Sequence, residues 1–144
     1  MTDLGEALSR LLEAVIDRET PILDAHELTM WEYAILTAIS RAPDQSQREL
    51  AASSRRDATR LIRHLDTLST RGLVRRDTDP GDRRRRVVNL TDAGATTLGS
   101  ARRAIRRMED ELLAELPVEQ RDQLRATLAA AVTLAAPAKS DPQL

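Results

Sequence analysis

The chain has 144 residues, 41% of them hydrophobic and 31% charged, enough for one ordinary domain and too little for two full cores. It contains no cysteine, which excludes disulfides, thiolate metal sites, cysteine nucleophiles and thiol-based redox sensing. The formal net charge of −1 hides a segregation: residues 1–40 carry 2 basic and 8 acidic groups, residues 41–91 carry 13 and 7, and residues 92–144 carry 7 and 8.

Taken in chain order, Leu4, Leu8, Leu11, Leu12, Val15 and Ile16 recur at helical spacing and predict an amphipathic helix over residues 3–17, with Pro21 in the connection after it. Thr29 and Glu32 have capping-box spacing ahead of an apolar run to Ile39, which predicts a central buried helix. Pro43 and Asp44 mark a loop. Ser46 and Glu49 form a second capping box, opening a short helix through Leu50, Ala51 and Ala52. After a polar break at 53–56, Asp57 is the expected N-cap of a helix to about Thr70, with Ser54 as a rival cap. Leu61, Leu65 and Leu68 form its apolar stripe, and Gly72 stops it.

Leu73-Val74 and Val87-Val88-Asn89-Leu90 read as short strands, joined through the turn signal Asp79-Pro80-Gly81-Asp82. Thr91 caps a long helix in which Leu98, Ala101, Ile105, Met108, Leu112 and Leu116 keep helical spacing. Pro117 fits the first position of a last helix, with Leu124, Leu128 and Val132 as its stripe. Residues 137–144 read as a disordered tail. There is no internal repeat.

A short helix, a tight turn, a second helix and a two-stranded hairpin make a winged helix-turn-helix. The fold class is therefore mainly α (α+β), with a winged helix-turn-helix core at about 29–95 flanked by long helices at about 3–17 and 92–135, all in one domain over 1–144. The second helix of such a pair enters the DNA major groove. Opposite its leucine stripe lie Arg56, Thr59 and Arg63, with Arg60 to one side. Arg55 and His64 complete the basic surface of this segment. Arg83, Arg84, Arg85 and Arg86 follow the hairpin turn and face Arg75 and Arg76 on the other strand. So many like charges in one hairpin call for an anionic partner, and a narrow minor groove draws in arginine. The bland counterparts are a solvated helix face and a charge-protected edge strand. Twenty-one of the 22 basic residues are arginine, whose planar fork suits phosphates and guanine edges.

Gly72-Leu73-Val74-Arg75-Arg76, then Asp82-Arg83-Arg84, then Leu90-Thr91-Asp92-Ala93-Gly94, together with Glu49-Leu50-Ala51, resemble the MarR (multiple antibiotic resistance regulator) family of bacterial transcription factors. The resemblance covers about residues 4–135. It implies a homodimer that interlocks through its terminal helices and sets two winged lobes on a palindromic double-stranded DNA operator. It makes Asp82 the brace of the wing, Arg84 its minor-groove finger and Arg63 the arginine of the recognition helix. It also implies release by a small aromatic or phenolic anion. His26, Trp31 and Tyr33 are the candidate effector residues. On their own, Trp31 and Tyr33 read as core packing, His26 as a loop or interface residue, and His64 as a helix-edge residue or phosphate contact.

The function expected is a ligand-responsive repressor. The alternative is a winged-helix protein-interaction module without DNA binding. An enzyme is not expected, since no glycine-rich nucleotide loop or clustered His/Asp/Glu constellation is present. No cofactor or metal is expected either, with two histidines far apart. No stretch approaches the roughly 18 apolar residues of a membrane span, and no basic-then-apolar leader opens the chain, so a cytoplasmic protein is the expectation.

Overall fold

The computed structural model describes residues 1–54 and 57–136. It divides into two compact units, Met1–Met108 and Glu109–Leu144. Six helices and one antiparallel hairpin follow in the order α1 (Leu4–Ala25), α2 (Met30–Arg41), α3 (Gln47–Ser54), α4 (Ala58–Thr70), β1 (Val74–Asp79), β2 (Asp82–Leu90), α5 (Asp92–Leu112) and α6 (Val118–Ala135).

Helix α1 starts where Asp3 accepts the Glu6 backbone N–H at 2.8 Å. It does not end at 17 as its periodicity and Pro21 suggest, but runs through Pro21 to Ala25. The reason is tertiary. Leu23 is buried, and Ile22 and Val15 pack on the core, and this burial offsets the roughly 3 kcal/mol a proline costs inside a helix. His26 closes the helix as its C-cap.

Both capping boxes form. Thr29 Oγ1 accepts from the Glu32 N–H at 3.1 Å, and Glu32 accepts from the Thr29 N–H at 2.9 Å. The Ser46–Glu49 pair at the start of α3 repeats the pattern at 3.1 and 2.8 Å. Asp57, not Ser54, caps α4, accepting from the Thr59 N–H at 2.9 Å. The Ser54 hydroxyl instead donates back to the Leu50 carbonyl. Leu61, Leu65 and Leu68 are buried as the stripe requires, against Ile35, Leu36 and Leu50.

The hairpin is longer than its apolar residues suggest, because the strands continue outward through charged positions. Val74 pairs with Leu90 and Thr78 with Arg86, and a register irregularity between Thr78 and Asp79 precedes the turn. Gln45 adds an isolated bridge to Val88. Helix α5 buries Leu98, Ala101, Ile105 and Met108. It ends at Leu112, so Leu116 falls in the α5–α6 connection and Pro117 is the N-cap of α6, not its first residue.

In the second unit, Arg121 donates to the carbonyls of Leu116 (2.8 Å) and Ala114 (3.0 Å), closing the turn. Arg125 pairs with Glu109 and Asp110 at 3.2 and 2.9 Å. No residue of α6 is buried, and Val132 is exposed. The predicted tail at 137–144 lies outside the described residues. No described helix is long and apolar enough to cross a membrane.

Candidate nucleic-acid interface

The candidate interface lies within Met1–Met108, on α3, α4 and the hairpin. With its leucines pointing inward, α4 leaves Thr59, Arg60 and Arg63 exposed on its outer side. Asp57 caps the end nearest them. Arg55 and Arg56, nominated from the sequence, lie outside the described residues. His64 is half-buried and stacks on Trp31 of α2, ring centroids 6.5 Å apart and planes 18° off parallel. It therefore sits at the α2–α4 seam, at the edge of the helix.

In the hairpin, Arg83, Arg84 and Arg86 are exposed, whereas Arg85 is only partly so. Asp82 Oδ1 accepts the Arg84 backbone N–H at 3.0 Å. That bond fixes the chain entering β2 rather than the Arg84 guanidinium. Asp79 stabilises the turn by accepting from the Gly81 N–H at 2.8 Å.

Two arginines are held away from solvent by carboxylates. Arg85 donates to Asp79 Oδ2 at 2.6 Å and also to Glu49 Oε2 on α3. The Ser46 backbone N–H, reinforced by Arg85, keeps the Glu49 carboxyl below its usual range; the Gly81 N–H and Arg85 do the same for Asp79. Arg76 donates to Asp66 Oδ1 of α4 at 2.6 Å. Sequence reasoning placed Arg85 among the DNA arginines and missed both pairs. Strand alternation carried a partial signal for each: Arg85 shares its side of the strand with buried Val87, and Arg76 shares its side with buried Val74.

The three effector candidates are set apart. His26 Nδ1 lies 2.8 Å from the Ile22 carbonyl and Nε2 lies 3.0 Å from Ser100 Oγ of α5. Trp31 is 53% exposed, against the core packing expected of it. Tyr33 is two residues along α2 and so faces away from Trp31. It packs against the core. Burial raises its phenol pKa, opposed by the nearby Arg102. A groove of about 420 Å³ between the end of α2 and the hairpin base is lined by Ile39, Pro43, Asp44, Arg75 and Asn89 among others, and by none of these three. Among the described residues, no group of three or more His, Asp or Glu side chains is placed to hold a metal ion.

A family model described as "MarR family" matches residues 28–85. Among solved structures, "Transcriptional repressor, CouR, bound to a 23-mer DNA duplex" is 31% identical with a TM-score of 0.76, covering 90% of this chain and 92% of that one. A crystal structure of MarR is 27% identical with a TM-score of 0.79, covering 93% of this chain and 91% of that one. A mutant MarR from E. coli is 23% identical with a TM-score of 0.77, covering 92% and 98%, a likeness of fold.

Proposed function

The chain belongs to the MarR family of transcriptional regulators, and we propose that it is a homodimeric repressor that binds a palindromic DNA operator and is released by a small aromatic or phenolic anion. The observation that carries the DNA reading is the pairing, in one compact unit, of an exposed arginine surface on α4 (Arg60, Arg63) with an exposed arginine wing (Arg83, Arg84, Arg86). These are the two elements that a winged helix-turn-helix sends into adjacent grooves. The relative bound to a DNA duplex supports the same assignment.

Dimerisation is favoured by apolar side chains that α1 and α6 leave uncovered. Leu4 and Leu12 are 75% and 57% exposed, and Val132 and Leu134 are 71% and 87% exposed. Helices with such faces bury them against a second copy. For the effector, Tyr33 beside Arg102 supplies a phenol and a cation suited to an aromatic anion. His26 and Trp31 are assigned to structure instead, at the α1–α5 and α2–α4 seams. The work of the protein is binding, in the cytoplasm, without a catalytic step.

The test is a gel shift with the DNA upstream of the protein's own gene. Wild type is expected to bind it in preference to a scrambled duplex. Arg84→Ala should lose the roughly 1–3 kcal/mol typical of a groove contact. No shift with wild type sinks the DNA reading, and equal binding by the variant sinks the wing finger.

A further inference from the structure

The wing of this protein carries more arginine than the DNA face uses. We propose that Arg85 and Arg76 are positioning residues that clamp the hairpin to both helices of the helix-turn-helix, and that they do not contact DNA. The proposal rests on the DNA-binding reading above for its consequence, and on geometry alone for the clamp.

Arg85 leaves β2 on the side opposite Arg84 and Arg86 and joins two carboxylates, Asp79 on its own hairpin and Glu49 on α3. Its side chain retains 32% exposure and that of Asp79 19%. Glu49 Oε2 also accepts the Ser46 N–H, so one carboxylate oxygen both caps α3 and holds the wing. On the other strand, Arg76 reaches Asp66 of α4, with 28% of its side chain exposed. The hairpin is thus tied to α3 through β2 and to α4 through β1. Hydrogen bonds keep Glu49 and Asp79 ionised well into acid, so that clamp persists throughout the neutral range.

Three of the carboxylates in the basic segment therefore sit next to the DNA-facing elements. By charge alone they repel phosphate, and removing them raises affinity. As clamp partners they do the opposite: they hold Arg83, Arg84 and Arg86 at a fixed angle to α4, so the wing meets the groove already oriented. The sign of the effect separates the two roles.

The experiment uses the full-length protein carrying Glu49→Gln, Asp66→Asn or Arg85→Ala. Gln at 49 keeps an acceptor for the capping box. In the DNA-free protein, the backbone amides of residues 83–87 are expected to exchange faster with solvent in each single variant, while the Tm barely moves, since partly exposed pairs contribute little stability. On the wild-type operator, Glu49→Gln and Asp66→Asn should weaken binding about fivefold, a fraction of one groove contact. Arg85→Ala should weaken binding with an unchanged slope of log affinity against log salt.

Tighter binding by Glu49→Gln or Asp66→Asn overturns the clamp. So does unchanged amide exchange, or a salt slope that falls by about 0.9 in Arg85→Ala, the mark of a lost phosphate contact. If wild type binds no DNA, the DNA reading fails, and the clamp then stands or falls on the exchange data alone.

Discussion

Gly94 is buried in the first turn of α5, where a Cβ would lie 1.9 Å from the Leu73 carbonyl oxygen and 2.9 Å from its carbon. The neighbouring Thr91 explains the approach. Its N–H donates to that same Leu73 carbonyl at 3.1 Å. Its hydroxyl donates to Gly72 O at 2.5 Å and accepts the Gly94 N–H at 3.0 Å. The separated Gly-Leu-Val and Leu-Thr-x-x-Gly stretches are thus one junction that locks the α4–β1 turn to the start of α5. Gly72 does a different job, since it takes φ 73° with open space around it. Gly94→Ala must push backbone away from backbone, so it should cost about 3 kcal/mol or more, the upper end for overpacking. Gly72→Ala meets only the left-handed penalty of about 1–2 kcal/mol. Urea denaturation of both variants checks this, and equal costs would show that the close approach at Gly94 is not what fixes the glycine there.

At the scale of elements, what the sequence made legible is what local chemistry decides. The two capping boxes, the Asp57 cap, the α4 leucine stripe, the turn at 79–82 and the Thr91 start of α5 all follow from neighbours two to four residues apart. What was not legible depends on distant partners. Pro21 reads as a stop, yet α1 continues because Leu23 finds the core. The polar and charged residues at 75–79 and 82–86 do not look like strands, yet both strands extend through them, with Thr78 opposite Arg86 and Asp79 opposite Asp82. Arg85 cannot be told from Arg84 by composition, and the carboxylates of Asp79 and of Glu49 on α3 are what set it apart. Trp31 lies exposed on His64 for the same kind of reason, a contact between two helices rather than within one. The proline in α1 gives this a test. Pro21 is exposed, so Pro21→Ala loses little packing, and it restores an N–H for the Asp17 carbonyl. The gain of up to about 3 kcal/mol in helix propensity, less about 0.4–1 kcal/mol for the freer unfolded chain, leaves a net stabilisation of about 2 kcal/mol. A higher Tm and denaturation midpoint are expected, whereas a lower one would mean that the proline bend itself seats Ile22 and Leu23.

For the whole molecule, charge is arranged against the grain of its sum. The first 40 residues hold 8 acidic groups to 2 basic, and the following 51 hold 13 basic to 7 acidic. Three of those seven carboxylates, Glu49, Asp66 and Asp79, are in ion pairs with Arg85 and Arg76. The exposed basic side chains of this segment include Arg60, Arg63, Arg83, Arg84 and Arg86, beside Arg41, Arg48, Arg71 and Arg75, while Glu6, Glu13 and Asp17 stand exposed along α1. On the proposed DNA-binding reading, a near-neutral whole with a cationic reading surface draws little on DNA at long range and engages it at contact distance, which favours operator over bulk duplex. On that reading the acidic helix is part of specificity without touching a base. Neutralising Glu6, Glu13 and Asp17 together should raise affinity for a random duplex several-fold at low salt, measured by fluorescence anisotropy. The gain should shrink towards physiological salt, where the screening length falls to about 8 Å. Operator binding should rise less than random-duplex binding, so the ratio between them falls. An unchanged random-duplex affinity at low salt would show that the acidic residues of α1 play no part in discrimination.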